Sequence, residues 1–139
     1  MTGNVVLDSS VIVKWFDSSE EEFSRAVKLL TAISENKLHL VLPNCAPLEI
    51  VNVLRLGKKF PEEKTGQCLT ALFDLKPEFI PLEKNLLSQV TSLIYTYDLT
   101  AYDSAFVAVA NIGNCPLITA DYKHHLKTIS KNIVWLSES

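Results

Sequence analysis

The sequence predicts an α/β fold, a parallel sheet covered on both faces by helices. Short, almost wholly apolar runs such as Val5–Leu7 and Leu117–Thr119 suit strands buried on two sides. Segments of helical length and helical period separate them, the alternation expected of parallel strands with crossover helices. A chain of 139 residues, 47% of them hydrophobic, can bury about two-thirds of its unfolded surface without metal or disulfide staples. One domain spanning residues 1–139 is therefore expected.

Asn4 to Asp8 reads as a first buried strand entering a turn. Ser9 or Ser10 then caps a helix carrying Val11, Ile12, Val13, Trp15 and Phe16. Ser18-Ser19 before Glu20, Glu21 and Glu22 signals a second helix, whose face Phe23, Ala26, Val27, Leu30, Ile33 keeps the 3.6 period. Leu38 to Leu42 is a second strand, stopped by Pro43. Asn44 opens a helix with Pro47 in its first turn, where a missing N–H costs little. Leu48, Ile50, Val51, Val53, Leu54 and Leu56 make it mostly buried, and Gly57 ends it.

Phe60-Pro61-Glu62-Glu63-Lys64 opens a helix reaching about Leu75, and Phe79-Ile80 is a minimal strand before Pro81. Leu82 to Tyr97 has Leu86, Leu87, Val90, Leu93, Ile94 and Tyr97 at helical spacing. Thr100 with Asp103 three residues on is a capping-box start signal. Ala105 to Ala110 that follow are apolar all round, which marks a buried helix closing near Gly113. Pro116 to Thr119 is a strand ending at Ala120-Asp121. A short helix from His124 to Ile129 and a strand from Ile133 to Leu136 finish the chain, with no repeat, linker or low-complexity segment.

Composition excludes several classes. Cys45, Cys68 and Cys115 are scattered, odd in number and without a zinc-type spacing, so reduced thiols in an intracellular protein are expected. The apolar run after Met1 is short and contains Asp8, so neither a signal peptide nor a membrane span is expected, and the cytoplasm is the expected location. A net charge of -3 argues against holding polyanions by bulk charge. A nucleic-acid substrate would need local basic groups.

Four carboxylates invite chemistry. Asp8 ends the first strand, Asp121 follows the fourth, and Glu49 and Asp103 lie in the first turns of apolar helices. Each has a structural role open to it: Asp after a strand is usually a turn or cap residue, and an acid in a first helical turn complements the dipole. Together they are harder to dismiss. Unpaired buried carboxylates are costly, few basic residues adjoin these four, and a hard divalent cation, magnesium or manganese, accommodates such oxygen ligands.

The stretches Val5-Val6-Leu7-Asp8-Ser9-Ser10-Val11-Ile12, Leu48-Glu49-Ile50-Val51-Asn52-Val53-Leu54, Leu99-Thr100-Ala101-Tyr102-Asp103-Ser104-Ala105 and Leu117-Ile118-Thr119-Ala120-Asp121 resemble, in order, the four motifs of the PIN-domain ribonucleases, and most of all the single-domain VapC-type toxins. The resemblance covers nearly the whole chain. It implies a three-layer α/β/α fold with about five parallel strands, and an endoribonuclease that hydrolyses RNA phosphodiesters with Mg²⁺ or Mn²⁺. Asp8, Glu49, Asp103 and Asp121 take the positions of the acidic metal site, Ser10 and Thr119 those of supporting hydroxyls, and Asn52 a recurrent polar position. It further implies a small antitoxin partner that covers the cleft. A homodimer is expected as well, since the helices Phe60 to Leu75 and Leu82 to Tyr97 carry more apolar residues than one core needs.

Other residues have weaker claims. Lys123, His124, His125 and Lys127, and likewise Lys14, Arg55, Lys58 and Lys59, can touch RNA phosphates or form solvated faces. Trp15 and Phe16 read as core or interface, His39 as structural, and Asp98 as an exposed turn residue. Two alternatives differ in class. A catalytically inactive PIN-like interaction module is opposed by the intact acidic quartet. A receiver-type phosphoacceptor is opposed by the absence of an acid beside Asp8 and by a second strand ending in Leu42-Pro43.

Overall fold

The structure is a computed structural model describing residues 3–122 and 128–139. Five strands, β1 (Gly3–Leu7), β2 (Leu38–Pro43), β3 (Glu78–Ile80), β4 (Leu117–Thr119) and β5 (Ile133–Trp135), form one sheet in the order β3-β2-β1-β4-β5. Every pairing is parallel, with Val5 beside Leu40, Val6 beside Leu117, Leu42 beside Phe79 and Ile118 beside Val134. β1 lies at the centre, and its Val5, Val6 and Leu7 are wholly buried, as a continuous apolar run requires of a strand covered on two faces.

Among the described residues the helices are α1 (Ser9–Ile12), α2 (Phe23–Ser34), α3 (Ala46–Asn52), α4 (Glu62–Asp74), α5 (Lys84–Tyr97) and α6 (Ala101–Gly113). The chain steps outward from β1 to β2 to β3, then crosses back to β4. Right-handed connections running in opposite directions put α1 to α4 on one face and α5 and α6 on the other. α2 and α6 both pack on β2, and α5 lies along α6. The result is the three-layer α/β/α architecture. α6 is its inner pillar: Ser104 through Ala110 are all buried, and the alanines let it lie close against β1 and β2.

Three expectations change at element ends. Asp8, not Ser9 or Ser10, caps α1, accepting the Ser10 N–H at 3.1 Å. α2 starts at Phe23 rather than in the serine-glutamate run, because Asp17 takes the Ser19 N–H (3.0 Å) and hydroxyl (2.6 Å), closing a turn instead of a helix. Glu20 is drawn away by Lys14 and Lys58. The helix after β2 is less buried than its composition suggests. Ile50 and Leu54 face the core, but Leu48 and Leu56 are 65% and 63% exposed, and α3 passes into a wider π-type turn at Val53–Gly57. The helix expected from His124 to Ile129 lies largely outside the described residues.

Candidate active site

The strand order reverses between β1 and β4, and an open α/β sheet leaves a crevice beyond the carboxyl ends of its strands at that point. Asp8 follows β1 directly, and Asp121 stands just past β4. α3 leaves the same end of β2, bringing Glu49 in its first turn, and α6 starts there, bringing Asp103. All four carboxylates line one open cavity of about 260 Å³, together with Ser9, Ser10 and Val53. Four residues spread over most of the chain thus meet at the switch point.

Hydroxyls hold Asp8, which is buried, and Glu49, which is half-buried. Asp8 accepts from the Ser10 hydroxyl, whose oxygen also accepts the Ala120 N–H at 2.9 Å and lies 3.4 Å from Thr119 Oγ1. Ser10 therefore ties the start of α1 to the end of β4. Thr119, fully buried, accepts the Asp121 N–H at 3.1 Å. Glu49 accepts from Ser9 Oγ, a bond from α1 to α3. Asp103 donates its backbone N–H to Thr100 Oγ1 at 3.1 Å, the half of a capping box that the sequence announces.

The electrostatics are those of crowded acids. Burial pushes the Asp8 carboxyl up to about 7; hydrogen bonds from Ser10 and Thr119 oppose this, and the charges of Asp103 and Glu49 reinforce it. Glu49 is raised too, first by burial, against the Ser9 hydrogen bond and with the Asp103 charge. Asp103 and Glu49 thus make Asp8 harder to ionise, and Asp103 does the same to Glu49.

Asn52 is exposed at the end of α3 and is not among the residues lining the cavity. Ser9 is the residue that sequence reasoning missed in this role: it read as a cap, and only the fold brings it to Glu49. Two of the basic residues are already engaged, Lys58 with Asp17 (3.0 Å) and Glu20, and Lys14 with Glu20 (3.5 Å) and the Glu21 carbonyl (2.9 Å). Arg55 and Lys59 instead border a larger groove of about 600 Å³ with Val51, Phe60, Glu62 and Leu69. Lys123, His124, His125 and Lys127 lie outside the described residues. Trp15 is buried and bonds the Ala26 carbonyl at 2.9 Å, Phe16 is half-buried, His39 meets Glu78 at 2.9 Å, and Asp98 is exposed at the end of α5.

In donor type the site fits a hard divalent cation, for it offers carboxylate oxygens whose mutual repulsion a cation would relieve. The side chains are not closed on one as they stand. Among the described residues, no group of three or more His, Cys, Asp or Glu is arranged to hold a metal ion. Asp8 and Glu49 are held by serines instead.

No curated protein matches the chain. Solved structures do. VapC20 of Mycobacterium tuberculosis, described as a toxin cleaving the sarcin-ricin loop, aligns with a TM-score of 0.72 at 10% identity over 91% of this chain and 95% of its own. A toxin-antitoxin complex from Klebsiella pneumoniae gives 0.65 at 16% identity over 97% and 99%. FitAcB of Neisseria gonorrhoeae gives 0.63 at 18% identity over 97% and 99%. At such identities the likeness is one of fold. The family model of the PIN domain, however, matches residues 5–130, a span that contains all four carboxylates of the cavity. The chain belongs to the PIN-domain family.

Proposed function

We propose that this chain is a Mg²⁺- or Mn²⁺-dependent endoribonuclease, one domain over residues 1–139, acting in the cytoplasm as the toxin of a toxin–antitoxin pair. The observation that carries the reading is the convergence of Asp8, Glu49, Asp103 and Asp121 on one cavity at the switch point of the sheet.

Asp8, Glu49, Asp103 and Asp121 would hold the cation. When bound it supplies Lewis acidity toward the phosphodiester and acidifies water at neutral pH. The chain's own residues prepare for that. Ser10 keeps Asp8 in place through its bonds to Asp8 and Ala120. Thr119 fixes the backbone at Asp121, and the Thr100 cap fixes it at Asp103. Acids alone repel an anionic substrate, so the quartet suits RNA only with the cation in place. Asn52 is proposed as an outer contact, since its position on α3 is exposed.

One of the named neighbours is a toxin–antitoxin complex and another is a toxin, which supports a small antitoxin partner. A homodimer is supported by exposed aromatic and aliphatic side chains on α4 and α5, among them Phe73, Leu87, Tyr95 and Tyr97. A second reading is an inactive interaction module, which the exposed apolar side chains of α4 and α5 would equally serve. Incubating labelled RNA with the protein in Mn²⁺ and in EDTA separates the two. Cleavage that EDTA abolishes supports the nuclease, and no cleavage in either supports the module.

A further inference from the structure

We propose that Ser9 is a positioning residue, holding the Glu49 carboxylate where a divalent cation meets it; this rests on the metal-dependent reading above. Asp8 already caps α1, so the Ser9 hydroxyl is not needed for its own helix. It is buried, lines the acidic cavity, and donates across 40 positions of sequence to Glu49 Oε1 on α3. The next residue does the same for another acid, Ser10 donating to Asp8. Successive side chains on a helix project about 100° apart, so two adjacent hydroxyls serve carboxylates on different elements.

The chemistry gives Ser9 a purpose beyond satisfying its own burial. Glu49 has three rotatable side-chain torsions, and a free glutamate would lose that freedom on meeting a cation. With one carboxylate oxygen accepting from Ser9, the other is left for the cation and the side chain is already ordered. Groups that orient metal-bound carboxylates in this way commonly alter affinity by about 10–100-fold.

Calorimetric titration with Mn²⁺ alone tests this on the wild type, Ser9→Ala, Ser9→Thr, Glu49→Gln and the double variant Ser9→Ala/Glu49→Gln, with melting in EDTA as the structural control. Ser9→Ala is expected to weaken Mn²⁺ binding about 10–100-fold. Ser9→Thr, which keeps the hydroxyl, is expected to restore it, and Ser9→Ala is expected to add nothing once Glu49 is Gln. A Ser9→Ala protein that melts lower in EDTA yet binds Mn²⁺ like the wild type would overturn the positioning role and leave the metal site standing. A wild type that binds no Mn²⁺ would overturn both. Should Ser9→Thr not fold, the cycle with Glu49 still decides: equal weakening by Ser9→Ala with Glu and with Gln at position 49 would show that Ser9 does not act through Glu49.

Discussion

Asp8 carries the most consequence of any single residue. In the fold its carboxyl is raised from 3.8 to about 7, chiefly by burial. The folded protein then holds this proton more tightly than the unfolded chain does, so metal-free stability falls as pH rises from about 4 to 7. Glu49, raised for the same reason, acts in the same direction. Asp17, held at about 2 by Ser19 and then Lys58, works at the other end, its stabilisation lost as pH falls from about 4 through about 2. Melting in EDTA should accordingly be higher at pH 5 than at pH 8, and Mn²⁺ should recover the difference at pH 8. A metal-free protein more stable at pH 8 would contradict the crowding of acids. Asp103→Asn tests the same crowding by mutation. As a mere dipole-complementing acid its loss would cost about 0.3–1 kcal/mol; as the charge that raises Asp8 and Glu49, its loss should leave melting in EDTA unchanged or higher.

At the scale of elements, α6 sets the positions. Thr100 caps it and Asn114, in the left-handed region at φ 46°, closes it, while Phe106 and its neighbours fill the space beside the sheet. Thr100→Ala should cost about 1 kcal/mol through the lost cap, and Phe106→Ala about 3–5 kcal/mol through the cavity it leaves; urea denaturation measures both. α6 was legible in the sequence because its cap signal and apolar run are local. The central β1 was legible for the same reason. The start of α2 was not, since three glutamates imitate a helix start while Asp17, Lys14 and Lys58 use the segment for a turn and an ion cluster. Nor was the exposed face of α3 and of the π-type turn after it, because Leu48 and Leu56 satisfy an apolar pattern without meeting the core. The four acids could be named from local motifs. The bond from Ser9 to Glu49 could not, for it depends on how α1 and α3 approach, which no local pattern encodes.

For the whole molecule, the parallel sheet explains why acids so far apart in sequence share a cavity: strand ends and helix starts are gathered on one edge, and the order reverses there. No helix among the described residues is long and apolar enough to cross a membrane. The exposed apolar side chains of α4 and α5 are the motive for the proposed homodimer. Light scattering at micromolar concentration should give twice the 15.5 kDa chain mass, and a strict monomer would remove the homodimer while leaving the nuclease intact. The nuclease itself is tested most directly by RNA cleavage with wild type and Asp103→Asn side by side, each in Mn²⁺ and in EDTA. A metal-dependent nuclease should cleave as the wild type only with Mn²⁺, and at least about 10²-fold less as the variant, the scale of losing one preorganised electrostatic group. Cleavage that persists in EDTA, or an Asp103→Asn protein as active as the wild type, would contradict it.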